Sequence, residues 1–249
     1  MAIKIIQSFR EHNVPSWIET CLASVRDWAD YHDFRYEFVG DELLDRVPEW
    51  YREKAGPKIP VVTDLGRLLW TQSCLNDDEA DDEASIVVWL DADTYILAPK
   101  KLSIDMQGDS CVLGREYWLQ RDKKGKPRLY NNVHNAFCAF QKGSPVLPFL
   151  IYTVERLMAK VDGDFIAPQF VGPKLLTSLH NTIGFSVDPR FGAISPMLAE
   201  ALVRSDQATL GALGDRSVPM LAANLSHSLS DEIQHEDLLS VFKNSPNGI

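Results

Sequence analysis

The stretch Ile86-Val87-Val88-Trp89-Leu90-Asp91-Ala92-Asp93-Thr94 decides how this chain is read. Five consecutive apolar residues, with acid on both sides, have the length and β-branched content of a central strand covered on both faces. Asp91 and Asp93 stand immediately beyond its C-terminal end, which is where open α/β sheets place their ligand sites. Burying two carboxylates one residue apart is unfavourable unless hydrogen bonds or a cation offset it. Hard oxygen ligands that leave coordination positions open suit Mg²⁺ or Mn²⁺ carrying a diphosphate. The competing reading of an isolated D-x-D is a strand-end turn with helix-capping aspartates.

Outward from this strand, the periodicity alternates between strand and helix. Ile3 to Gln7 reads as a first strand, not a signal peptide, because polar residues end the apolar run at once. Trp17, Ile18, Cys21, Leu22, Val25, Trp28 and Ala29 recur at helical spacing over Ser16 to Tyr31, with Pro15 at the start. Arg35 to Val39 is a second strand, Leu43 to Tyr51 a weaker helical piece, and Gly56-Pro57 a turn. Val62, Leu65, Leu68, Leu69, Gln72 and Leu75 mark another helix. Beyond Asp93 the pattern predicts strands at Cys111–Arg115, Ala136–Gln141 and Phe185–Val187. It predicts helices from Pro145 to about Lys160 and from Lys174 to His180. Ser195 to Asn224 is ambiguous, and a frayed tail is expected from about Ser240. The expected fold is α/β, a mostly parallel central sheet with helices on both faces, in one domain spanning residues 1–249.

The 249 residues carry 25 basic and 35 acidic side chains, a formal charge of −10. That balance argues against nucleic acid as a partner, which requires a basic footprint. Six of the carboxylates crowd into residues 77–83, a run that reads as a solvated loop and lacks the alternating ligands of a calcium loop. Cys21, Cys74, Cys111 and Cys138 are far apart, without C-x-x-C or zinc-finger spacing, as expected of thiols in a reducing, cytoplasmic compartment. No run of 18 apolar residues is present, so no integral membrane segment is expected.

At Asp91-Ala92-Asp93 the chain resembles the DXD motif of nucleotide-sugar glycosyltransferases of the GT-A (Rossmann-like) fold. Thr63-Asp64-Leu65-Gly66-Arg67 is similar to the S-D-x-x-R helix start of the group with a sugar-binding region containing DXD, which includes family 32. Phe170-Val171-Gly172-Pro173 with Leu176-Thr177 resembles that group's G-P-x-x-(L/F)-T step, and Leu225-Ser226-His227 its late histidine. With the opening strand Ile3–Gln7, its Pro15/Trp17 segment and Tyr36-Glu37-Phe38, which are similar to the start of such domains, these pieces in order span roughly residues 3–230. Two departures stand out. The acidic loop and Ser85 replace the family's Gly-Gly link, and the strand Val87–Leu90 is closer to the Y-L-D-x-D pattern of family 8 enzymes, whose N-x-G step His134-Asn135-Ala136-Phe137 matches only in part, with Phe137 in place of glycine.

The resemblance implies transfer of a hexose from a UDP- or GDP-linked donor to a hydroxyl acceptor such as a glycan, with retention of configuration and dependence on Mn²⁺ or Mg²⁺. It implies Asp91 and Asp93 as catalytic and metal-binding residues, with His227 as a third ligand; a histidine between two serines is otherwise an ordinary surface residue. It places Asp64 and Arg67 against the donor, whereas spacing alone allows a simple surface ion pair. Gln7 sits where a nucleobase would lie. Asn135 and Gln169 are polar among apolar neighbours, as near a sugar or in a structural hydrogen bond. Lys174, at a helix start, would reach the diphosphate. Tyr117 and Trp118 could stack on sugar rings, while Trp89 belongs to the core. Two other readings compete: a non-catalytic sugar-binding protein on the same fold, and a haloacid-dehalogenase-like phosphohydrolase, which also follows an apolar strand with D-x-D.

Overall fold

A computed structural model describes residues 2–77, 84–161, 166, 169–214, 218–225, 229 and 233–249. The apolar run is strand β3 (Ile86–Leu90), and all five of its residues are buried. Their pleat alternates between two cores. Val87 and Trp89 face one with Leu65 and Leu68, whereas Ile86, Val88 and Leu90 face the other with Val25 and Trp28. Strand β1 (Ile3–Ser8) lies beside it in parallel, and β2 (Arg35–Val39) lies beyond β1, also parallel. Helix α1 (Ser16–Tyr31) joins β1 to β2 and buries the seven apolar residues that its periodicity marks.

The weak helical piece expected at Leu43 to Tyr51 is two helices, α2 (Glu42–Asp45) and α3 (Glu49–Ala55). Pro48 separates them: proline lacks an N–H and biases Val47 away from helical angles. Helix α4 (Ile59–Asn76) begins three residues earlier than the apolar pattern, with Pro60 in its first turn.

After β4 (Thr94–Ile96) come two strands far longer than expected, β5 (Cys111–Arg121) and β6 (Pro127–Gln141). They pair antiparallel around a turn in which Asp122 Oδ1 accepts from the Lys124 and Lys126 amides and Gly125 adopts φ 76°. Helix α5 (Val146–Lys160) packs with α4 on the Trp89 face. Helix α6 (Pro173–Ile183) leads to β7 (Ser186–Ile194), which continues past Pro189 because the proline sits in an irregular segment of the ladder.

The ambiguous stretch after Ser195 contains α7 (Pro196–Val203), the single turn α8 (Gln207–Leu210), a 3-10 turn (Gly211–Leu213) and strand β8 (Ala222–Asn224). In place of fraying at Ser240, helix α9 (His235–Lys243) runs through it, burying Leu238, Leu239 and Phe242. The Ile249 backbone pairs with Met220. The sheet order is β2-β1-β3-β6-β5-β7-β8-β4, with four of its seven pairings parallel. Among the described residues no helix is long and apolar enough to cross a membrane.

Candidate active site

At the end of β3 the chain turns so that Asp91 O accepts the Thr94 amide at 3.0 Å, and Asp91 N donates to Ala136 O at 2.8 Å. This places the Asp91 carboxylate against the N-terminal half of α4. Its Oδ1 accepts from Arg67 Nη1 at 2.8 Å and from the Trp89 indole at 2.7 Å. The same Arg67 nitrogen donates to Asn135 O at 2.7 Å, and Nη2 pairs with Asp64 at 3.2 Å. Asn135 Nδ2 closes the circuit by donating to Asp64 Oδ1 at 2.6 Å.

Asp64 and Arg67 are both buried, so this is not a surface pair. Burial pushes the Asp64 carboxyl up to about 6 although Arg67 and Asn135 pull it down. Burial also opposes charge on Arg67, but Asp91 and Asp64 together outweigh it and hold the guanidinium above its ordinary value. Gly172 lets the chain pass close by; a Cβ there would lie 2.8 Å from Asp64 Oδ2.

Asp93 is served differently. Asn224 Nδ2, from β8, donates to its Oδ1 at 2.5 Å. Burial and then the neighbouring Asp91 push its carboxyl up to about 7. Among the described residues Oδ2 of Asp91 takes no hydrogen bond, and the buried Thr94 hydroxyl has no partner. Among the described residues Arg67 is the one cation paired with Asp64 and Asp91; with all three carboxylates ionised the corner would carry a net −2, which burial opposes by raising Asp64 and Asp93.

Asp91 borders two hollows. The first, about 560 Å³, is mainly apolar, with Phe9, Ile18, Leu43, Leu44 and Pro60 in its walls and Asp91 and Asp93 at one end. The second, about 270 Å³, is more polar and is lined by Asp91, Glu116, His134, Asn135, Gln169 and Asn224.

Asp64, Arg67, Asp91, Asp93 and Asn135 therefore come together as the sequence leads one to expect, and Gln169 stands exposed at the second hollow. Gln7 is fully buried behind the site, donating to Asp91 O at 3.2 Å and accepting from the Tyr36 hydroxyl at 3.1 Å. Lys174 is exposed at the start of α6. Trp118 lines the second hollow, whereas the Tyr117 hydroxyl is spent on Pro189 O. His227 and nearly all of the acidic run, 78–83, lie outside the described residues. Among the described residues no group of three or more His, Cys, Asp or Glu is arranged to hold a metal.

Three contributors escape the sequence reading. Asn224 lies in the stretch without clear periodicity. Glu116 is a buried acid bonded to Asn132 Nδ2 at 2.7 Å, and burial raises its carboxyl. The indole N–H of Trp89 is a polar handle on a residue that otherwise reads as core.

No protein-family profile matches the chain, and no curated protein does. Solved structures similar to it include a glycosyltransferase involved in glycosylation of the major capsid of PBCV-1, with TM-score 0.49 and 10% identity over 97% of this chain and 98% of that one. The galactosyltransferase LgtC, solved with donor and acceptor sugar analogues, gives TM-score 0.45 and 10% identity over 99% and 97%. Mouse xyloside xylosyltransferase 1 gives TM-score 0.43 and 11% identity over 91% and 97%.

Proposed function

We propose that this chain is a divalent-metal-dependent hexosyltransferase, moving a sugar from a UDP- or GDP-linked donor to a carbohydrate hydroxyl with retention of configuration. The observation that carries the reading is the Asp91–Asp93 pair at the end of β3 where the two hollows meet, with Asp64 beside it and Arg67 the one cation paired with these carboxylates among the described residues.

The donor set fits Mn²⁺ or Mg²⁺. The carboxylates are hard oxygen donors, the uncommitted Asp91 Oδ2 and the raised Asp93 carboxyl both favour a nearby cation, and His227 is the third candidate ligand. When bound, such an ion supplies Lewis-acid neutralisation of the charge developing on the departing nucleoside diphosphate. The rest is the work of the protein. The apolar walls of the first hollow suit a nucleoside, and the amides and carboxylates of the second suit sugar hydroxyls. Arg67 fixes the direction of Asp91 and already has Asp91, Asp64, Asn135 O and Thr63 O as acceptors inside the protein, so its main role is to hold the aspartate. Gln7 does the same from behind. Lys174 remains the candidate for the diphosphate from the start of α6. The four free thiols support a cytoplasmic location.

Calorimetry with UDP- and GDP-sugars, with and without Mn²⁺, tests this. Metal-dependent binding that disappears in Asp93→Ala, together with slow donor hydrolysis, is the expected result. Metal-independent binding, or none with any donor, overturns it. Sugar uptake without hydrolysis points to a binding protein, and a beryllofluoride adduct at Asp91 to a phosphohydrolase.

A further inference from the structure

Both ladders that flank β5 slip at the same residue, Gly114. On one side Leu113 pairs with Cys138 but Gly114 with His134, leaving Asn135, Ala136 and Phe137 as a bulge on β6. On the other, Gly114 pairs with Asp188 but Arg115 with Gly192, leaving Pro189, Arg190 and Phe191 as a bulge on β7. The imidazole of His134 fills the space between them, buried, directly over Gly114; a Cβ on that glycine would lie 2.2 Å from Nε2. A register slip of this kind re-aims side chains beside a site and needs something to fix it.

His134 fixes both slips at once. Nδ1 accepts from the Ala136 amide at 3.0 Å, so that nitrogen carries no proton. Nε2–H is left to donate to Phe191 O at 3.1 Å. The ring therefore ties the β6 bulge to the β7 bulge, whose aromatic rings, Phe137 and Phe191, stack at 3.7 Å. Burial favours the neutral ring that both bonds require, lowering its titration to about 4.

What the β6 bulge carries is the inner wall of the site. Asn135 O accepts from Arg67, Asn135 Nδ2 donates to Asp64, and Ala136 O accepts from the Asp91 amide. We propose that His134 is a positioning residue for sugar transfer. By accepting the Ala136 amide it holds the Asn135–Phe137 bulge in the shape that sets the direction of Asp91 and Arg67, acting through them and not on the substrate, while the bond to Phe191 O orients the ring. The reaction in this statement rests on the function proposed above; the clamp itself does not.

Two near-isosteric variants separate the halves of the clamp. His134→Asn places an amide oxygen near Nδ1 and keeps the acceptor for Ala136, whereas His134→Gln places an amide nitrogen near Nε2 and keeps only the donor to Phe191. Both are made in the full chain with His134→Phe as control. Melting temperature, exchange of the Ala136 amide, the Trp89 indole N–H resonance and donor kinetics are read for each. The expected result is that His134→Asn keeps Ala136 protection, the wild-type Trp89 resonance and kcat within a few-fold. His134→Gln, at a similar melting temperature, loses protection, shifts the Trp89 signal and loses about 10–100-fold in kcat with a smaller change in donor KM, as for a lost support to a ligating group. Equal behaviour of the two variants, or kcat following melting temperature alone across all three, overturns the proposal. If the wild type shows no donor turnover, the functional reading fails, and the Ala136 and Trp89 signals still decide the clamp.

Discussion

The two halves of the sheet contribute to the site in different ways. The β2-β1-β3 side is parallel and in unbroken register, and it meets α4 through a continuous apolar core. It supplies the formal charges: Asp91 and Asp93 from the end of β3, and Asp64 and Arg67 from α4. The β6-β5-β7-β8 side slips register twice at Gly114 and supplies neutral groups, the Asn135 and Asn224 amides and the Asn135 and Ala136 carbonyls. Apart from Glu116 of β5, which lines the second hollow, the charges of the site sit on the rigid side, and the groups that fine-tune the direction of Asp91 and Asp93 sit on the irregular side. A regular ladder is a stable base for buried charge, whereas a bulge can aim an amide at a point that no regular strand reaches.

The most severe way to break this division is at Arg67, the cation that pairs with both Asp64 and Asp91. Arg67→Met leaves Asp64 and Asp91 facing each other without their shared cation and leaves Asn135 O with only the weak Cys138 thiol donor. Stability is expected to fall by about 3–5 kcal/mol, as when one partner of a buried ion pair is removed. Denaturant unfolding measures this, and a loss below about 1 kcal/mol would mean that the charged side does not depend on Arg67.

Removing Asp93 acts chiefly on function. Asp93→Asn is expected to reduce metal-dependent turnover on the order of 10²–10³-fold, the usual effect of deleting one preorganised electrostatic group. Its effect on the metal-free protein is opposite in sign. An unfolded aspartate titrates near 3.9, but in the fold Asp93 titrates at about 7. Between those values the folded chain binds more protons than the unfolded one, so stability falls as pH rises through about 4 to 7. Asp64, raised to about 6, acts in the same direction over a narrower window. His134, lowered from 6.5 to about 4, acts in the opposite direction over much of that window, so melting curves should slope gently downward from pH 4 to 7 in the wild type and be nearly flat from pH 4 to 6 in Asp93→Asn.

On the irregular side, Gly114→Ala forces a methyl into the His134 ring. Overpacking of this kind is expected to cost about 1–3 kcal/mol. Because the clash is with one side chain, combining it with His134→Asn should restore part of that loss, a coupling that a double-mutant cycle measures. Additive losses would place the strain in the β5 backbone and not in the clamp.

This contrast also explains what could be read from the sequence. The regular half was legible because period-two and helical patterns report burial directly: β3 is the apolar run, and α1 spans the residues that its periodicity marks. Asp64, Arg67 and Asp91 followed from motifs in order, and Asn135 from being a polar residue among apolar neighbours. On the irregular half, β5 and β6 outran their apolar segments because Glu116, Asn131 and Asn132 pair as strand while reading as loop. Asn224 could not be placed because β8 is three residues long and is specified by its neighbours β7 and β4, not by its own pattern. Periodicity carries no information about a register slip, so the role of His134 was invisible.

The finest test lies within the rigid half. Trp89→Phe keeps most of the ring in its core and removes only the N–H that donates to Asp91 Oδ1. Arg67 still donates to that oxygen, and the Asp91 side chain retains 26% exposure, so water can replace part of the lost bond. The expected stability loss is about 1 kcal/mol, that of a single hydrogen bond to a charged acceptor with partial compensation, and the expected loss in turnover is a few-fold. A Trp89→Leu control removes packing as well and should lose clearly more stability. If Trp89→Phe instead reduces turnover as severely as Asp93→Asn while folding normally, Asp91 is aimed by its own strand more than by Arg67. The line between charge and aim would then run through β3 itself, not between the two halves of the sheet.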